Sequence, residues 1–144
     1  MWYDLTSQRA GRNMVKGKTL KMILVIDTSD KKCLVGLYHD QKLDRISWQW
    51  QKDTGSETLQ NIQKILSKHR IKITDLKAIA VNQGPGSYTG TRVGITLANA
   101  LGWSLRIPVI GYGQQKLETV LGRITQKLKG SGFSPDHFPT PRYK

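Results

Sequence analysis

The hydrophobic period of this chain changes near residue 52, and that change restricts the fold more than any other feature. Before it, apolar residues come in short runs. Residues 22–26 and 33–38 read as strands. Residues 43–50 alternate, with Ile46, Trp48 and Trp50 on one face. The stretch His39-Asp40-Gln41-Lys42 reads as a hairpin turn. After the change, Leu59, Ile62, Ile65 and Leu66 recur at helical spacing and predict a helix over 55–69, opened by Thr54 and Glu57 at capping-box spacing. A buried strand at 78–81 follows. A helix over 89–105 carries the apolar row Val93, Leu97, Ala100 and Leu101. Pro108 ends it, and a strand at 109–112 and a helix over 114–128 complete the order. A three-strand meander followed by helix–strand alternation predicts an α/β lobe: a mixed five-stranded sheet with helices on its faces. Right-handed crossovers place the later, parallel strands beside the first.

This lobe spans residues 21–129. Residues 1–20 show no clear periodicity and read as a flexible basic extension. Residues 130–144, with Pro135, Pro139 and Pro141, read as a flexible tail, and residues 1–20 and 134–144 are expected to carry no core contacts. The longest apolar run, 22–26, falls far short of the roughly 20 residues of a membrane helix. No secretory signal is visible, and the lone Cys33 reads as a buried, reduced thiol. These features predict a cytoplasmic protein with no membrane partner. The net charge of +13 is uneven, because the ends 1–21 and 122–144 hold 10 basic against 2 acidic residues. Such ends either hold RNA phosphates without reading sequence or are simply solvated.

Three constellations carry chemistry. Asp27, Thr28 and Ser29 close the first strand, as an Asx-type turn or as a hairpin that holds a phosphate or its metal ion. The turn Gly84-Pro85-Gly86-Ser87-Tyr88-Thr89-Gly90 leads a strand into a helix. It is either a tight structural turn or an anion site at a positive helix end, with Gly84, Gly86 and Ser87 as its phosphate contacts and Arg92 adding charge. Gly90, Gly94, Ala98 and Gly102 form a stripe of small residues along that helix. Glycine inside a helix costs roughly 1 kcal/mol against alanine, so close contact must offset it. The contact is with another helix of the lobe or with a partner. Read as a partner face, it comprises Leu59, Ile62, Gly90, Arg92, Gly94 and Ala98. His39, His69 and His137 are scattered, and no metal pair or nucleophile elbow is present, so neither catalytic nor metal-binding residues are predicted.

The segments 22–29, 56–59, 84–95 and 108–111 together resemble the TsaB family of tRNA threonylcarbamoyladenosine biosynthesis proteins, in order and over about residues 22–120. The resemblance implies an RNase-H-like lobe of the actin-like ATPase and sugar-kinase type. It implies a role in placing threonylcarbamoyl on N6 of a tRNA adenosine. It also implies pairing, through the first two helices, with a TsaD-like catalytic subunit, alongside a TsaE-like ATPase. The tRNA is then met indirectly, and ATP or ADP belongs to the complex, not to this chain. The catalytic relative carries paired histidines where this chain has Gln114 and Glu118, which places it on the non-catalytic branch. It departs from the family pattern at Gly55, where a histidine is usual, and in showing only the N-terminal lobe.

Two other readings compete: an actin-like nucleotide-hydrolysing lobe or a peptidase, and a small basic RNA-binding module. The chain is expected neither to cleave peptides nor to modify tRNA by itself. A homodimer is the alternative use of the helix face.

Overall fold

The computed structural model describes residues 14–15, 18–19, 21–130 and 138–142. A short antiparallel ladder, β1 (Met14–Val15) and β2 (Lys18–Thr19), comes first. It corrects the reading of residues 1–20 as lacking strands, since two-residue strands are too short to show a period. The expected mobility of the rest of that segment lies outside the described residues.

The centre of the lobe is β3 (Ile23–Asp27). Its residues 23–26 are 0% exposed, as a strand sheathed on both faces requires. β4 (Lys32–His39) pairs antiparallel with β3, and β5 (Lys42–Gln49) antiparallel with β4. Between the last two, Asp40 and Gln41 take φ of 52° and 59°. Paired left-handed residues make the hairpin turn whose twist matches its strands. β6 (Ala78–Asn82) runs parallel to β3, and β7 (Val109–Tyr112) parallel to β6. The order β5-β4-β3-β6-β7 is the RNase-H-like arrangement expected from the sequence.

Helices α1 (Thr54–Lys68) and α2 (Tyr88–Leu105) cover one face of the sheet, over Leu24, Ile26, Val35 and Leu37. Helix α3 (Leu117–Lys129) covers the other, with Val120, Leu121 and Ile124 over Ile23, Val25 and Ala80. Period-2 alternation along β3 thus feeds two apolar layers. The capping box is not formed. Thr54 is already helical, and its hydroxyl donates to the Gln51 carbonyl at 2.7 Å and accepts from the Gln51 N–H at 3.0 Å. Helix α2 stops at Leu105 because Arg106 turns left-handed, with φ of 56°.

The tail expectation fails in part. Phe138 packs against the α1–α2 core layer, and Pro139 is buried. A proline-rich composition excludes helix and ladder but not docking.

Beyond α1, Asp44 accepts from Lys68 and His69, each at 2.8 Å, and the His39 ring meets His69 edge-on at 5.4 Å. Burial, reinforced by His69, lowers the His39 pKa below 6.5. The folded state therefore resists protonating His39, and stability falls as pH drops below 6.5. Hydrogen bonds from Lys68 and His69 lower Asp44 to about 2. Its contribution is complete above pH 3.8 and is lost as pH falls through about 2. Melting curves at pH 7 and pH 5 are expected to show a lower Tm at pH 5. His39→Phe is expected to shrink that difference, because Asp44 does not titrate in this window. An unchanged difference would show that His39 is not its source.

Candidate functional site

The parallel strands β3, β6 and β7 end on one side of the sheet, where α/β folds place their ligands. A cleft of about 510 Å³ opens there, lined by Asp27, Ser29, Asp30, Asn82, Gly86 and Gln114 among others. The sequence assembles it from two loops. The turn after β3 brings Asp27, Thr28 and Ser29, and the turn after β6 brings Gly84, Gly86 and Ser87. Of the six predicted phosphate-site residues, Asp27, Ser29, Gly86 and Ser87 line the cleft, whereas Thr28 is buried beneath α2 and Gly84 does not line it.

Their polar groups largely satisfy one another. The Asp27 carboxylate accepts from the Ser29 N–H at 3.0 Å, the Ser29 hydroxyl at 2.7 Å and the Asn82 amide at 3.1 Å. Asn82 in turn accepts from the Gly84 N–H at 2.9 Å. The Ser87 N–H donates to the Ser29 carbonyl at 2.9 Å, and the Thr28 hydroxyl to the Gly90 carbonyl at 2.6 Å. Ser87 caps α2 by accepting from the Gly90 N–H at 3.0 Å. Two backbone donors that an anion at the helix end would use, the Ser87 and Gly90 N–H groups, are thus engaged. The carboxylates of Asp27 and Asp30 also face the cleft, so a phosphate would need a cation with it. Asn82 was not singled out from sequence; an asparagine ending a buried strand is its only local signal.

Among the described residues, no group of three or more His, Cys, Asp or Glu side chains is placed to hold a metal ion. Gln114 lies on the cleft wall and Glu118 in the exposed first turn of α3. Cys33 is free and buried, and burial, followed by the charge of Asp27, pushes its thiol up to about 11. It is a poor nucleophile.

The small stripe of α2 is not a partner surface. A Cβ at Gly94 would lie 2.5 Å from the Thr28 hydroxyl and 3.5 Å from Ile26. A Cβ at Gly90 would strike the Thr28 carbonyl, and one at Gly102 would strike Val109. Ala98 is 0% exposed. The stripe seats α2 on the sheet and on the turn after β3. This corrects both the partner reading of Gly90, Gly94 and Ala98 and the expectation of helix-on-helix packing. Ile62, 2% exposed, is likewise core.

The row of larger apolar residues on α2, Val93, Leu97 and Leu101, is half-buried, and Leu101 packs against the core layer. A groove of about 680 Å³ runs between α1 and α2, lined by Leu59, Ile62, Leu66, Ile73 and Leu101 among others. A second, of about 380 Å³, is lined by Gly55, Tyr88, Arg92, Val93 and Leu97 among others. Leu59 is 45% exposed, Tyr88 60% and Trp103 75%. Arg92 donates to the Tyr88 hydroxyl at 2.7 Å and lies 5.1 Å from the centre of its ring. Of the predicted partner residues, Leu59 and Arg92 are exposed.

Residues 52–115 match the family described as TsaD: tRNA N6-adenosine threonylcarbamoyltransferase. The chain is 37% identical over 90 residues to the tRNA threonylcarbamoyladenosine biosynthesis protein TsaB of Buchnera aphidicola subsp. Schizaphis graminum, covering 62% of this chain and 43% of that one. It is 36% identical over 103 residues to TsaB of Bacillus subtilis, covering 70% and 44%. The solved structure of YeaZ from Pseudomonas aeruginosa superposes with a TM-score of 0.62 and 26% identity, over 65% of this chain and 44% of that one. This lobe is similar to the TsaB proteins. The chain spans less than half the length of the TsaB relatives it matches. The TsaD match includes the α1–α2 face and ends at Gln115, so it takes in only the first of the two positions, Gln114 and Glu118.

Proposed function

We propose that this chain acts in forming N6-threonylcarbamoyladenosine in cytoplasmic tRNA, as a non-catalytic partner that docks a TsaD-like catalytic subunit on the outer face of α1 and α2. The observation that carries this reading is the exposure of Leu59 and Tyr88, each lining an apolar groove, and of Trp103 on the same helix as Tyr88. Apolar patches of this kind favour association, and the helices presenting them belong to a lobe shared with the catalytic family. The TsaE-like ATPase and any ATP or ADP belong to the wider complex. The two glutamine and glutamate side chains at positions 114 and 118 offer no imidazole to a metal, which supports a non-catalytic role.

The test compares the wild-type chain with Trp103→Glu and Leu59→Arg, each titrated into a TsaD-type subunit by calorimetry. Burying one large apolar side chain is worth roughly 1.5–3 kcal/mol, so each variant is expected to bind at least about tenfold more weakly. Circular dichroism is expected to be unchanged, because both side chains are on the surface. Unaltered affinity in both variants would reject this face. Self-association of the wild type with no hetero-complex would reject the partner in favour of a homodimer.

A further inference from the structure

We propose that Phe138–Arg142 is a strap seated in a groove for extended chain, and that the groove recognises the pattern apolar-Pro-x-Pro-Arg in its own right. The groove lies at the carboxyl ends of β6 and β7, next to the cleft. Phe138 anchors one end in the core layer under α2. The buried Pro139 presents its carbonyl to the Asn99 amide at 3.0 Å. At the other end, the Arg142 N–H donates to the Gln83 carbonyl at 2.6 Å. The Gln83 side-chain amide, oriented by its hydrogen bonds, accepts from Nε and Nη2 of Arg142 at 2.8 and 3.1 Å. With the strap seated, Gln83 is 8% exposed, so this polar contact is largely shielded from water.

Two glycines make the seat. A Cβ at Gly84, where φ is +96°, would strike the Arg142 carbonyl. A Cβ at Gly111 would strike the Gln83 amide and lie 2.8 Å from Cβ of Pro139. The strap is also shaped before it docks. Pro139 and Pro141 fix their own φ, and Phe138 and Thr140, each ahead of a proline, are pushed into extended backbone. Little conformational freedom is left to lose on seating, which is the physical basis of binding extended proline-rich segments. The arginine adds direction, because its bonds to Gln83 exist only at one end. The resident occupant is this chain's own segment. When the strap leaves, the groove accepts a segment of the same chemistry from another molecule.

The test uses the isotopically labelled full chain carrying Phe138→Ser and Arg142→Ala, to which a capped pentapeptide Phe-Pro-Thr-Pro-Arg is added. The amide resonances of Gln83, Gly84, Asn99 and Gly111 are expected to differ from wild type and to return toward it as the peptide saturates. A peptide with alanine in place of arginine is expected to bind at least tenfold more weakly, and the wild-type chain, whose groove is full, not to respond. Unmoved resonances in the variant, or no response to the peptide, would overturn the proposal. Arg142→Ala alone guards against a variant that fails to fold. Hydrogen exchange of the residue-142 amide is expected to quicken at least tenfold while β3 stays protected, and unchanged exchange there would also overturn the proposal.

Discussion

Ala98→Arg is expected to unfold the lobe, not to yield a folded monomer that has lost a partner. Ala98 is 0% exposed and belongs to the same apolar layer as Ile26, Ile95 and Val109. Its flanking stripe lets α2 lie directly on the sheet, so no space exists for a longer side chain. Arginine would have to bury an unpaired guanidinium or lift the helix off β3 and β6. Either cost exceeds about 4 kcal/mol, against a typical domain stability of 5–15 kcal/mol. Urea denaturation followed by circular dichroism is expected to show a largely lost cooperative transition. A native-like transition in this variant would mean that the stripe faces outward after all. Trp103→Glu, on the opposite side of the same helix, is the matched contrast, because it changes charge without touching the core.

Gly86→Ala is expected to destabilise the lobe by roughly 2–3 kcal/mol, although it adds one methyl group. That methyl would come within 2.5 Å of the Ser29 carbonyl and 2.8 Å of the Ser29 Cβ. Neither atom is the end of a flexible side chain. The turn after β3 must therefore back away from the turn after β6, weakening the Ser87 N–H bond to the Ser29 carbonyl and disturbing the Asp27 network. For a domain of about this size the loss corresponds to a drop in Tm on the order of 10 °C or more. Gly55→Ala is the control. Its added Cβ finds Val93 no closer than 3.9 Å, and helix propensity favours alanine by up to about 1 kcal/mol. If both variants melt alike, close approach at Gly86 is not what its lack of a side chain provides.

The sequence by itself determined the order and kind of the main elements. Burial on one face of a helix or both faces of a strand writes a local period, and residues 22–26, 43–50 and 55–69 carry it plainly. It also brought Asp27, Ser29, Gly86 and Ser87 forward together, because strand-to-loop junctions with small polar residues and glycines are legible locally. Tertiary structure decided which side of α2 faces inward. That helix has two rows suited to burial, one of small residues that permits close approach and one of larger residues that offers apolar area. Periodicity cannot choose between them. The choice fell to the turn after β3, whose Thr28 carbonyl and hydroxyl stand where any side chain at Gly90 or Gly94 would be. The larger row was left half-buried, lining the grooves of the candidate partner face. The same limit hid the seating of Phe138–Arg142. Its prolines announce extended backbone, but Gln83, Gly84, Asn99 and Gly111, which receive it, lie far away in the chain and meet only when β6, β7 and α2 pack together.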